Sequence, residues 1–147
     1  MLYHTAPQAV LVKEIGNMMQ TEFEIKAGSS TQNVLHIAEI LAEGGVNLTT
    51  VSIEKFEGEA YIRLLTSDSE ACARSLMKAD MQFTTRPVLV AEVMDRPGQW
   101  AKIAKRLADA GIEIEASYLL SRDGQKMKFV FAVDEPKKGE QILAKLK

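Results

Sequence analysis

A chain of 147 residues has room for one ordinary domain or two small ones of about 70 residues each. Its 46% hydrophobic and 26% charged residues exclude intrinsic disorder, and a net charge of −2 argues against a partner with a phosphate backbone. One cysteine, Cys72, leaves no intrachain disulfide and no cysteine-based zinc site, and the two histidines, His4 and His36, lie far apart in sequence.

The first twenty residues lack a basic n-region, and Val10–Val12 is too short an apolar run for a signal peptide. No stretch approaches the roughly 18 apolar residues of a membrane span, so a cytoplasmic protein with no membrane partner is expected. Residues 1–19 form an N-terminal extension. Within it Ala9–Ile15 reads as an added strand, with a tag or a frayed helix as the alternative.

From Thr21 two periods alternate. Thr21–Ala27 is a strand with Phe23 and Ile25 on one face. Gly28-Ser29-Ser30-Thr31 turns into a helix, which Ser30 or Thr31 can cap, with Val34, Ile37, Ala38 and Leu41 as its apolar stripe. Gly44-Gly45 ends it near Glu43. Val46–Phe56 and Glu59–Thr66 are strands joined by a turn at Gly58. A helix capped by Asp68 or Ser69 runs to Lys78, with Cys72, Leu76 and Ala79 inward, and Met81–Arg86 is a fourth strand. The order is β-α-β-β-α-β, the split βαβ or ferredoxin-like unit.

The same order then restarts. Val88–Val93 is a strand, Asp95-Arg96-Pro97-Gly98 a turn, and Gln99–Ala110 a helix with Trp100, Ile103, Ala104 and Leu107 inward. Ile112–Leu120 and Lys126–Val133 are strands around the Arg122-Asp123-Gly124 turn, and Pro136–Leu146 is a helix. A constant shift of 66 residues pairs Ile37 with Ile103, Leu41 with Leu107, Gly45 with Gly111, Gly58 with Gly124 and Asp68 with Asp134, without a gap. The fold class is therefore α+β, two repeats over 20–86 and 87–147 with antiparallel sheets and helices packed on one face. Under the same shift Met81 falls on Lys147, so the second repeat lacks its last strand. The extension is a candidate to fill that place.

The two strand–helix turns carry the chemistry. Each offers free backbone N–H groups at a helix N-terminus, suited to a carboxylate or phosphate. Asp95 can accept from an ammonium group, and Gly98 lets a ligand approach the backbone closely. A zwitterion needs both. The alternative is a tight turn that simply starts a helix.

Asp95-Arg96-Pro97-Gly98, followed by Trp100, Ile103, Leu107 and Gly111-Ile112, resembles the ACT domain, whose pattern is a strand, Asp-x-Pro-Gly, a helix and Gly-Ile-Asn-Ile. The first repeat resembles a degenerate copy, with Thr31-Gln32 for Pro-Gly but Gly45-Val46-Asn47-Leu48 kept. The resemblance implies a stand-alone, non-catalytic regulator that binds an amino acid or similar metabolite and signals to a partner. It implies ligand contacts at Ser29, Ser30, Thr31 and Asn47 in the first repeat and at Asp95, Arg96, Gly98, Gln99 and Glu113 in the second. Glu113 stands where asparagine is usual, so the two sites are expected to differ. A homodimer and an enzyme of amino-acid metabolism are the implied partners.

The competing function is an RRM-like RNA-binding module, which shares the element order. Lys126-Met127-Lys128-Phe129-Val130-Phe131 is similar to its third-strand motif, although alternation places Met127, Phe129 and Phe131 under the helices. An enzyme is the third alternative. Glu54, Glu57 and Glu59 read as a solvated face, His36 as solvent-facing, and Cys72 as core. The sequence shows no triad, phosphate loop or metal spacing, so no cofactor and no metal is expected.

Overall fold

The computed structural model describes residues 18–145. Its elements are β1 (Met19–Lys26), α1 (Thr31–Glu43), β2 (Leu48–Phe56), β3 (Glu59–Thr66), α2 (Ser69–Lys78), β4 (Phe83–Met94), α3 (Gln99–Asp109), β5 (Ile114–Asp123), β6 (Lys126–Val133) and α4 (Pro136–Leu143). The strands order as β2-β3-β1-β4-β6-β5 in an antiparallel α+β arrangement. The described chain divides into two units, residues 21–86, and residues 18–20 with 87–145.

In the first unit, β3 pairs with both β1 and β2, setting Phe23 against Leu64 and Val51 against Leu64 from either side. Alternation sends Phe23, Ile25, Ile62 and Leu64 to one face, where they meet Ile37 and Leu41 of α1 and Cys72 and Leu76 of α2. The rings of Phe23 and Phe83 tilt at 40° with centroids 5.6 Å apart. Ala38, expected on the inner stripe of α1, is exposed. On the opposite face of β1, Glu22 is 1% exposed, and Arg86 Nε donates to its Oε1 at 2.6 Å.

In the second unit, β6 pairs with β4 and β5, and Leu89, Ala91, Phe131 and Val133 pack with Ile103, Leu107 and Leu143. α1 and α3 end alike. The Gly45 and Gly111 amides each donate at 3.0 Å, to Ala42 and Ala108, while Val46 and Ile112 donate at 2.9 Å to Leu41 and Leu107. Both glycines are left-handed, φ +71° and +73°, as this cap requires. The bonds recur at the 66-residue shift.

Two expectations about strands change. Met81–Arg86 and Val88–Val93 are not separate strands: Phe83–Arg86 and Val88–Val93 lie in one strand, β4, which continues through Pro87, and Met81 and Gln82 precede it. Proline removes a ladder donor and ordinarily marks a strand end, but Phe83, Val88 and Leu89 are all fully buried, so the strand stays extended on both sides of it. The expected strand at 9–15 lies outside the described residues. Residues 18–20 nevertheless stand beside β4, with the Val90 N–H donating to the Met18 carbonyl at 2.6 Å and Met19 in the second core.

Removing the Arg86 guanidinium leaves a carboxylate in a nearly dry site. Arg86→Met should lower unfolding free energy by about 2 kcal/mol, and adding Glu22→Gln should recover part of it. Equilibrium denaturation of the two variants checks this.

Candidate functional site: the strand–helix turn of the second unit

The two turns differ in backbone course and in chemistry, the N-cap being extended at Ser30 and left-handed at Gly98. In the first unit Ser30 is the N-cap of α1, and its hydroxyl accepts from the Asn33 amide at 3.3 Å. A side chain at Gly28 would meet Asn33 and stand near Glu59, which is paired with Lys26 at 3.2 Å. The helix N-terminus is thus served by the chain's own groups. Ser29 and Thr31 are exposed beside it.

In the second unit the N-cap is Gly98, left-handed at φ +86°, and no side chain caps α3. The first helical bond runs from the Lys102 amide to the Gly98 carbonyl at 3.0 Å. The amides of Trp100 and Ala101 precede it and stand at the positive end of the helix dipole. The turn is pinned from behind, because the Asp95 N–H donates to the Gln125 carbonyl at 2.7 Å and the Arg96 N–H to Met94 at 2.9 Å. The Asp95 carboxylate, partly exposed, lies 3.4 Å from Arg122 Nε.

Two concavities flank this turn. One, of about 460 Å³, is lined by Met94, Asp95, Arg96, Gly124 and Gln125. The other, of about 440 Å³, has Met18, Val93, Ile103 and Leu143 as apolar lining and Glu92, Arg96, Gln99, Lys102 and Lys126 as polar lining. Lys126 pairs with Glu92 at 3.3 Å. Among the described residues Arg96 and Lys102 have no ion-pair partner. The place therefore combines free helix amides, two cations without an ion-pair partner among the described residues, and two exposed carboxylates, Asp95 and Glu92, each in an ion pair, a set that suits a small anion bearing an ammonium group.

Asp95, Arg96, Gly98 and Gln99 come together here; Glu113 does not join them. The Glu113 amide donates to Asp134 Oδ1 at 2.9 Å and its carbonyl accepts from the Asp134 amide at 3.2 Å. That is the Val133 end of β6, whereas Asp95 lies at the Lys126 end, about 23 Å along an eight-residue strand. Asn47 is displaced from Ser29–Thr31 in the same way. Its carbonyl accepts from Thr66 Oγ1 at 2.8 Å, six residues along β3 from Ala60, which bonds Gly28.

Lys102, Arg122, Gln125 and Lys126 are not among the ligand contacts expected from the sequence. Lys102 alone carries a local signal, being three residues from Gln99 on one helix face. Trp100, expected inward, is 41% exposed: its ring stacks on Phe131 at 5.9 Å and its indole N–H donates to the Ser117 hydroxyl at 3.0 Å. An indole needs a partner for that N–H, and the rim of the core supplies one. Phe131 is fully buried, Met127 nearly so, and Phe129 is half-buried against the same core, so the RRM-like face packs inward rather than standing free to stack on bases.

Solved structures share this architecture. A protein from Bacteroides thetaiotaomicron superposes with a TM-score of 0.80 at 20% identity, over 86% of this chain and 88% of that one. The ligand-free regulatory subunit of aspartate kinase from Thermus thermophilus gives 0.59 at 11% identity, covering 87% and 93%. The aspartokinase alpha and beta subunits give 0.58 at 14%, covering 85% and 90%. The fold is ACT-like. No family model matches the sequence, and no curated protein matches it.

Among the described residues no cluster of three or more His, Cys, Asp or Glu could hold a metal, and no helix is long and apolar enough to cross a membrane. His36 is exposed on α1. Cys72 is fully buried in the first core, and burial, helped by the Asp68 carboxylate, pushes its thiol up to about 12. The thiolate is the reactive form. Cys72 should therefore stay unlabelled by a thiol-specific disulfide reagent at pH 8 in the folded protein and react promptly once denaturant is added, as a colorimetric thiol assay would show.

Proposed function

We propose that the protein is a non-catalytic regulator that binds an amino acid or a similar small zwitterion at the Asp95–Gln99 turn of its second unit. The observation that carries this reading is the uncapped α3 N-terminus at Gly98, set against the Ser30-capped α1. In this reading the ligand carboxylate takes the Trp100 and Ala101 amides with Arg96 beside them, and Asp95 accepts from the ammonium group. The fold likeness to regulatory regions of aspartate kinase supports an output through an enzyme of amino-acid metabolism. A homodimer in the cytoplasm is part of the same proposal, and sedimentation at twice the chain mass is its check.

Thermal unfolding against each of the 20 amino acids at millimolar concentration tests the ligand. A ligand at 100 times its dissociation constant adds about 2.7 kcal/mol and raises the midpoint. One amino acid or one related group should do so. Asp95→Asn and Arg96→Ala should abolish the shift, while Ser30→Ala and Glu113→Gln keep it. A flat panel, or a shift that survives both turn variants, overturns the reading.

A further inference from the structure

The Asp95 carboxylate already holds a cation of its own chain. Arg122 Nε lies 3.4 Å from Asp95 Oδ2, and both side chains are well exposed. Arg122 belongs to β5, which the order β4-β6-β5 sets two strands from β4, about 10 Å in the hydrogen-bonding direction. Asp95 directly follows β4, so only a long side chain can span β6 and make this contact. The course of the turn does not depend on it, because the Asp95 N–H is fixed on the Gln125 carbonyl at 2.7 Å.

The first unit shows the same place without the pair. The 66-residue shift puts Ser29 where the second unit has Asp95, and Phe56 where it has Arg122. Both are exposed, and neither can form an ion pair. That is the unit whose helix N-terminus is capped by its own Ser30. Acid and guanidinium thus occur together, and they stand beside the uncapped helix rather than the capped one.

Building on the zwitterion reading above, we propose that Arg122 occupies the cation position of this site until a ligand's ammonium group displaces it. Arg122 then sets how far the site prefers an amino acid to a simple carboxylate. The exchange is cheap, since an ion pair between side chains this exposed changes an equilibrium by about fivefold at most. Asp95 is open to a solute, because it lines the 460 Å³ concavity with Arg96, Gly124 and Gln125. Arg122 acts with opposite sign on the two ligand classes. An amino acid must break the pair before Asp95 can accept from its ammonium group, so Arg122 weakens its binding. A carboxylate without an ammonium group leaves the pair intact and gains from one more cation nearby.

Thermal unfolding with the 20 amino acids, and with acetate and propionate, reads both effects as dissociation constants from the dependence of the midpoint on concentration. In Arg122→Gln, the amino acids that raise the wild-type midpoint should bind with about two- to fivefold lower dissociation constants. Acetate and propionate should bind no more tightly than to wild type. Arg106→Gln removes an equal charge from the exposed last turn of α3 and should change neither series. An amino acid that binds Arg122→Gln no more tightly than wild type, while Asp95→Asn still abolishes its shift, overturns the displacement and leaves the turn as the binding site. Equal tightening for acetate and propionate, or the same tightening in Arg106→Gln, also overturns it, because the effect is then one of general charge. If no amino acid shifts wild type or Arg122→Gln, the zwitterion reading falls and the displacement with it.

Discussion

The burial of β4 on either side of Pro87, at Phe83 and at Val88–Ala91, is the constraint on which both cores depend. Twelve residues form this strand, and its apolar side chains serve two cores: Phe83 enters the first, Leu89 and Ala91 the second. At roughly 25 cal/mol per Å² of apolar surface, each large buried side chain contributes about 1.5–3 kcal/mol, so neither unit can release its share of the strand cheaply. Pro87 separates the two shares. The buried Glu22 carboxylate next to Arg86 adds a polar constraint, because its partner must stay in register for the charge to be tolerated.

Against that shared construction, the two strand–helix turns have diverged where divergence costs little. A serine N-cap is worth about 1 kcal/mol over alanine, but glycine at the same place gives up only a few tenths. Gly98 therefore leaves the α3 amides without a side-chain partner at small cost to stability, and its left-handed φ leaves open space where a Cβ would stand. Gly28 has the opposite surroundings, crowded by Asn33. Local packing thus closes one turn and leaves the other open to a solute.

Much of this was legible in the residues. The α3 stripe of Ile103 and Leu107, the hairpin glycines Gly58 and Gly124, and the caps at Gly45 and Gly111 follow from periods and from φ values that only glycine adopts readily. What escaped depends on tertiary placement. The passage of β4 through Pro87 contradicts a local rule because burial on both sides overrides it. Asp95 with Gln99, and Glu113, looked like one set in the sequence; an eleven-residue helix about 16 Å long separates them in the unit. Arg96, Lys102 and Lys126 come from a turn, a helix and a strand, a meeting that no spacing announces.

That meeting also bears on the kind of ligand proposed for the turn. The chain is acidic overall, and on its first unit Glu22, Glu24 and Glu54 are matched by Arg86 and Arg63. Charge compensation of this kind leaves little field for a polyanion. Around Gly98, by contrast, Arg96 and Lys102 lack ion-pair partners among the described residues. These two cations line one concavity of about 440 Å³, on the scale of the Debye length of about 8 Å at physiological salt. A phosphate backbone engages cations spread along a groove and spaced with its charges. One carboxylate needs only the site itself, and the Asp95 carboxylate next to it favours a ligand carrying its own positive charge over a simple anion.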